Sequence, residues 1–255
     1  SGEWLNTLKI VLRFLELALA LKFLSVADLA YHWDILNREV FLVLWILIFI
    51  SLGFYLLKMK NFSFRRLFAA ALPLAFAAYM IPGLWGAPLK DISAFLPPLH
   101  TQSFNLYGNM LEPKFYDYEE GMAYAARVKK PVMIDFTGYG CVNCRKMEAA
   151  VLSDLRVKEI IDNEYILVSL YVDDKKPLSE IIEKEEYGKK IKLRTVGDKW
   201  SYFQRYKFGA NAQPFYVLLD NGGNPLAPWY AYDENIDNFI DYLKSGMKNY
   251  RQTYQ

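Results

Sequence analysis

The chain has 255 residues but little sulfur and little imidazole, with only two cysteines and two histidines. So few cysteines exclude a disulfide-stapled secreted scaffold, which needs more of them, spread further apart. The pair is Cys141 and Cys144, three positions apart. A zinc site would need two further ligands, and His32 and His100 both lie far upstream. No metal and no separate cofactor is therefore expected, and the pair reads as redox-active. The net charge is only +2, which removes any bulk electrostatic case for nucleic acid. The start also lacks a secretory signal with a cleavage site.

The hydrophobic fraction is 53%, and it is unevenly spread. Apolar residues crowd into the first hundred positions, while most of the charge follows Glu112. Val40 to Leu57 (VFLVLWILIFISLGFYLL) and Leu67 to Leu89 (LFAAALPLAFAAYMIPGLWGAPL) carry no charge. At about 1.5 Å of rise per residue, roughly 20 apolar residues cross a hydrocarbon core. Both runs qualify, and Pro73 and Pro82 are tolerable in membrane helices. Leu8 to Val26 is leucine-rich but holds Lys9, Arg13, Glu16 and Lys22. It is expected as a third membrane helix whose polar stripe faces other helices; the alternative is an amphipathic helix at the surface. An all-α transmembrane region over 3–97 follows, with spans at about 8–26, 40–57 and 67–89. Lys58, Lys60, Arg65 and Arg66 join the two clean spans without an acid. Positive loops stay inside, so the chain after the last span lies outside the cytoplasmic membrane, in the periplasm or its equivalent.

A loop-like linker over 98–111, with Pro98, Asn105 and Gly108, leads to a second domain over 112–255. Tyr118 to Lys129 reads as a helix. Val132 to Thr137 (VMIDFT), Tyr165 to Val172 and Phe215 to Leu219 read as buried strands. Asn221 to Asn224 makes a turn into a fourth strand at about Leu226 to Tyr230. Arg145 to Leu155 and a stretch from Asp233 onward read as helices. Lys175 to Trp200 is a charged insertion with an expected helix at Leu178 to Glu186. The pattern is an α/β sandwich around a mixed sheet.

The chemistry centres on Cys141-Val142-Asn143-Cys144, placed directly after a buried strand and opening a helix. Unpaired amides and the helix dipole at that position stabilise a thiolate. Cys141 is the expected nucleophile and Cys144 the thiol that resolves the mixed disulfide. Asp135 stands inside an apolar strand, where a carboxylate either relays a proton to Cys144 or faces solvent. Pro214 enters the third strand either in a cis turn that exposes backbone beside Cys141 or as an ordinary strand-initiating residue.

The segment VMIDFTGYGCVNC, with Asp135 six residues before Cys141 and Pro214 before FYVLL, resembles the thioredoxin fold. More narrowly, KPVMIDFTGYGCVNCRKME followed by VLSDLRV is similar to the C-terminal domain of the DsbD family of thiol:disulfide interchange proteins. The upstream YMIPGLWGAPL resembles the end of that family's membrane domain. This resemblance implies a thioredoxin-like domain behind membrane helices, and an electron relay out of the cytoplasm that serves processes such as cytochrome c biogenesis. It implies that Cys141 attacks, Cys144 resolves, Asp135 is the buried acid and Pro214 the cis-proline. It also implies extracytoplasmic partners that carry disulfides or are themselves thioredoxin-like. Two departures stand out. Gly140, preceded by Tyr139, replaces the tryptophan common before the first cysteine. The membrane part has no cysteine, so an upstream donor must lie in a missing part of a longer protein or in a separate chain. Besides reductase, the sequence leaves open an oxidase or isomerase using the same pair, and a tethered peptide-binding module. Val142 and Asn143 offer no cation to a thiolate, which favours a reductant.

Overall fold

The computed structural model describes residues 2–58, 64–107, 111–186 and 188–254. Lys60 of the basic loop and Gly108 of the linker lie outside the described residues. The chain divides into two compact units, one holding most of 1–108 and the other most of 109–255.

The first unit is helical. Its helices are α1 (Gly2–Tyr31), α2 (Arg38–Lys58) and α3 (Phe64–Met80). Among the described residues, two segments are long and apolar enough to cross a membrane, Arg38–Lys58 and Arg66–Trp85. The second corrects the continuous helix expected to Leu89. Pro73 lies inside α3, but Pro82 falls in a 3₁₀ segment over Ile81–Trp85. That segment ends at Gly86, whose φ of +100° suits a residue without Cβ. In α1 the stripe of Lys9, Arg13 and Glu16 is exposed, and Val11, Phe14 and Ala18 are covered instead. Toward α2 and α3 the helix presents Val11 and Phe14, which pack on the Leu52–Leu56–Ala70 cluster, and not this stripe. Close helix packing there depends on a small residue, since a Cβ on Gly53 would stand 2.5 Å from Leu74 Cγ.

The second unit is built on a three-stranded mixed sheet of β1 (Val132–Thr137), β2 (Ile166–Tyr171) and β5 (Phe215–Leu219), in the order β2-β1-β5. β1 runs parallel to β2 and antiparallel to β5. All three strands are buried along their whole length, which is why each reads as an unbroken apolar run. Helices cover both faces. Val132, Ile134 and Phe136 pack with Trp200 of α7 (Val196–Phe208) and Ala125 of α4 (Tyr118–Val128). Met133 packs with Met147 of α5 (Val142–Met147), Ile161 of α6 (Leu155–Glu164) and Phe239 of α8 (Ile236–Tyr254). Side chains alternate along a strand, so Asp135 shares the α5 face with Met133.

Three expectations are corrected here. The helix expected at Arg145 to Leu155 is α5 followed by a π-helical turn over Glu148–Leu152, and a separate α6 is capped by Asp154, whose carboxylate accepts from Arg156 N–H. The fourth strand at about 226–230 is reduced to isolated bridges, Leu219 with Pro225 and Tyr216 with Tyr230. Leu178 to Glu186 is not a helix. It is β3 (Pro177–Glu186), which pairs antiparallel with β4 (Lys189–Thr195) as a separate two-stranded sheet. Glutamate and lysine favour helix locally, but opposite charges meet across this hairpin, as in Glu183 with Lys192 at 3.0 Å. Arg205 of α7 also grips the Glu186 carboxylate with two N–H donors, at 2.7 and 3.0 Å.

Candidate functional site

β1 delivers the chain straight into the cysteine loop. Cys141 sits at the N-cap of α5 in an extended conformation, and Cys144 N–H donates to its sulfur at 3.1 Å. The two sulfurs are bonded, with their Cα atoms 5.3 Å apart. Cys141 is partly exposed, whereas Cys144 is buried at 2% exposure. An outside partner therefore reaches the first sulfur and not the second.

The sequence of residues 113–220 matches the profile of the thioredoxin-like family. The fold of this unit is thioredoxin-like. A search of curated proteins returns no match. Among solved structures, a DsbH oxidoreductase is 16% identical over 55% of this chain and 88% of its own, with a TM-score of 0.41. A thioredoxin from Thermus thermophilus is 19% identical over 51% and 83%, at 0.37. A disulphide isomerase from Xylella fastidiosa Temecula1 is 12% identical over 58% and 99%, at 0.32.

Within the thioredoxin-like unit, Asp135 is sealed beneath α5 at 5% exposure, so it is not the solvent-facing carboxylate that the sequence left open. Its Oδ2 lies 3.4 Å from the Ser169 hydroxyl, and its Oδ1 has no hydrogen-bond partner among the described residues. Burial pushes this carboxyl up to about 7, helped by the nearby Glu148 carboxylate and opposed by Arg145 and Ser169. A group poised there exchanges a proton at neutral pH.

Arg145 and Glu148 were missed by the sequence reading. They stand at i and i+3 on the turn that follows Cys144, a spacing that brings side chains together. Arg145 is 2% exposed, ion-paired to Glu148 at 2.7 Å, and donates to Thr137 Oγ1 at 3.2 Å and Gly138 O at 3.4 Å. Burial lowers its pKa, but the Glu148 and Asp135 carboxylates and Tyr171 outweigh it and raise the pKa on balance.

Pro214 is buried, and its bond to Gln213 is cis. The antiparallel register places Phe215 opposite Phe136, so β5 begins at the sheet end where β1 delivers the cysteines. Gln204 of α7, fully buried, holds the approach to Pro214: its side-chain amide donates to Ala212 O at 2.8 Å and accepts from Gln213 Nε2 at 3.0 Å. Exposed Trp229 stacks on Phe215 at 5.3 Å between centroids. Gln204 and Trp229 leave no local mark in the sequence, because their partners are distant in the chain.

Proposed function

We propose that this chain is a membrane-anchored thiol:disulfide oxidoreductase of the DsbD kind, which reduces protein disulfides outside the cytoplasmic membrane. In this reading residues 3–97 form the membrane region, 98–111 the linker and 112–255 the working domain. The two long apolar segments and the basic stretch between them support the anchoring and the outward orientation. The observation that carries the chemistry is Cys141 at the N-cap of α5 with an amide N–H aimed at its sulfur. That arrangement favours a thiolate.

The reaction then follows from the residues. The Cys141 thiolate attacks one sulfur of a partner disulfide, whose S–S bond breaks, and the leaving sulfur takes up a proton. The Asp135 carboxylate takes the proton from Cys144. The Cys144 thiolate attacks the Cys141 sulfur, and the second partner sulfur leaves and is protonated. The partner gains two electrons and two protons, and the chain is left with the Cys141–Cys144 disulfide. Its re-reduction requires a dithiol donor, either in a missing part of the same protein or in a separate chain. Partner peptides run beside Pro214, whose cis bond to Gln213 opens β5 at the cysteine end of the sheet.

The test is to replace Cys144 with alanine. Mixed disulfides through Cys141 are then expected to accumulate with extracytoplasmic proteins. Their absence, or retention of the same partners after both cysteines are removed, would overturn the reading in favour of a binding module.

A further inference from the structure

We propose that Asp173 is a positioning residue for Cys141, latching the loop before it and setting a fixed negative charge behind the attacking sulfur. This rests on the redox reading above and deepens it. β2 ends at Tyr171, and two residues later the Asp173 carboxylate reaches back 34 positions to the cysteine loop. Tyr139 N–H donates to Oδ1 and Gly140 N–H donates to Oδ2, each at 2.9 Å. One carboxylate thus holds both amides that immediately precede Cys141.

Two further contacts make the latch specific. The Tyr139 ring stacks on Tyr171 at 4.2 Å between centroids and 24° between planes, so backbone and ring grip the same end of β2. Gly138 lies so close that an added Cβ would meet the Asp173 carboxylate atoms at 3.0 to 3.2 Å. Asp173 thus ties together two segments far apart in sequence.

The consequence is a bias on the couple. A carboxylate held by the amide of the residue before the nucleophile repels the Cys141 thiolate and leaves the uncharged disulfide untouched. The dithiol is therefore the less favoured form, and the pair gives up electrons more readily. Reduction of the pair by two glutathione molecules forms one glutathione disulfide and two protein thiols, so the equilibrium constant reads this bias directly.

The experiment equilibrates the full chain in detergent with a glutathione series and compares Asp173→Asn, Asp173→Ala and Asp173→Glu with wild type. Loss of the charge in the first two should shift the equilibrium toward the dithiol by about tenfold, roughly 30 mV, while the glutamate variant stays near wild type. Asparagine and alanine variants within twofold of wild type would overturn the proposal. Should those variants not fold, hydrogen exchange of the wild-type Tyr139 and Gly140 amides decides it: protection supports the latch, and exchange at the rate of open amides removes it. A wild-type chain that equilibrates with glutathione but reduces no protein disulfide defeats the proposed function and leaves the latch standing.

Discussion

The Arg145 guanidinium lies 2.7 Å from the Glu148 carboxylate, with the arginine sealed from solvent one residue after Cys144. Removing the arginine leaves the Glu148 carboxylate, 19% exposed, without its cation, at about 1–3 kcal/mol. Arg145→Met is therefore expected to lower stability by about that amount in denaturant titration. Glu148→Gln removes a charge that raises Asp135 and leaves Arg145, which lowers it. The Asp135 carboxyl, followed by NMR or infrared titration, should then titrate below about 7; an unchanged midpoint would contradict this.

Asp135 also makes stability depend on pH. Its folded pKa is raised from 3.8 to about 7, so between these values the folded state holds a proton that the unfolded state has released. The stabilisation is fully present below about pH 4 and is lost as pH rises through 7. At 1.36 kcal/mol per unit it is worth about 4 kcal/mol across the window. Asp135→Asn should flatten this dependence in denaturant titrations of the oxidised protein at pH 4 to 8. The same variant should slow resolution of mixed disulfides; unchanged rates across that range would remove the proton relay.

Two glycines differ in what blocks a side chain. A Cβ on Gly197 would meet backbone atoms of Val172 and Asp174 at 2.7 Å, and backbone does not yield cheaply. A Cβ on Gly121 would meet only the Val168 side chain, at 2.4 Å to Cγ2. Gly197→Ala is expected to cost about 3 kcal/mol and Gly121→Ala about half that. Thermal unfolding of both variants checks the order.

The central strands were legible because a strand buried on both faces is written as a short apolar run, as VMIDFT and FYVLL are. The cysteine pair was legible because its placement after such a run is local. The hairpin at 177–195 was not. Its residues favour helix one by one, and the strand pairing comes from Lys192 across the turn and Arg205 on α7. Asp173 and Gln204 were silent for the same reason, since each acts on a segment it meets only after folding. Glu148 could have been found, since its spacing from Arg145 already predicts a helical pair.

Arg205 offers a check on the hairpin. Its grip on Glu186 is solvated, so Arg205→Ala should leave global stability nearly unchanged. Amides of β3 and β4 should exchange faster with hydrogen, while the Cys141–Cys144 equilibrium stays unchanged.

The most direct measurement is the reduction potential of the Cys141–Cys144 couple in the full chain, titrated against glutathione. A dithiol that donates electrons outward should equilibrate reversibly near the thioredoxin end of the scale, at about −270 mV. A value near −120 mV, where such pairs act as oxidants, or a disulfide that never equilibrates, would contradict the account.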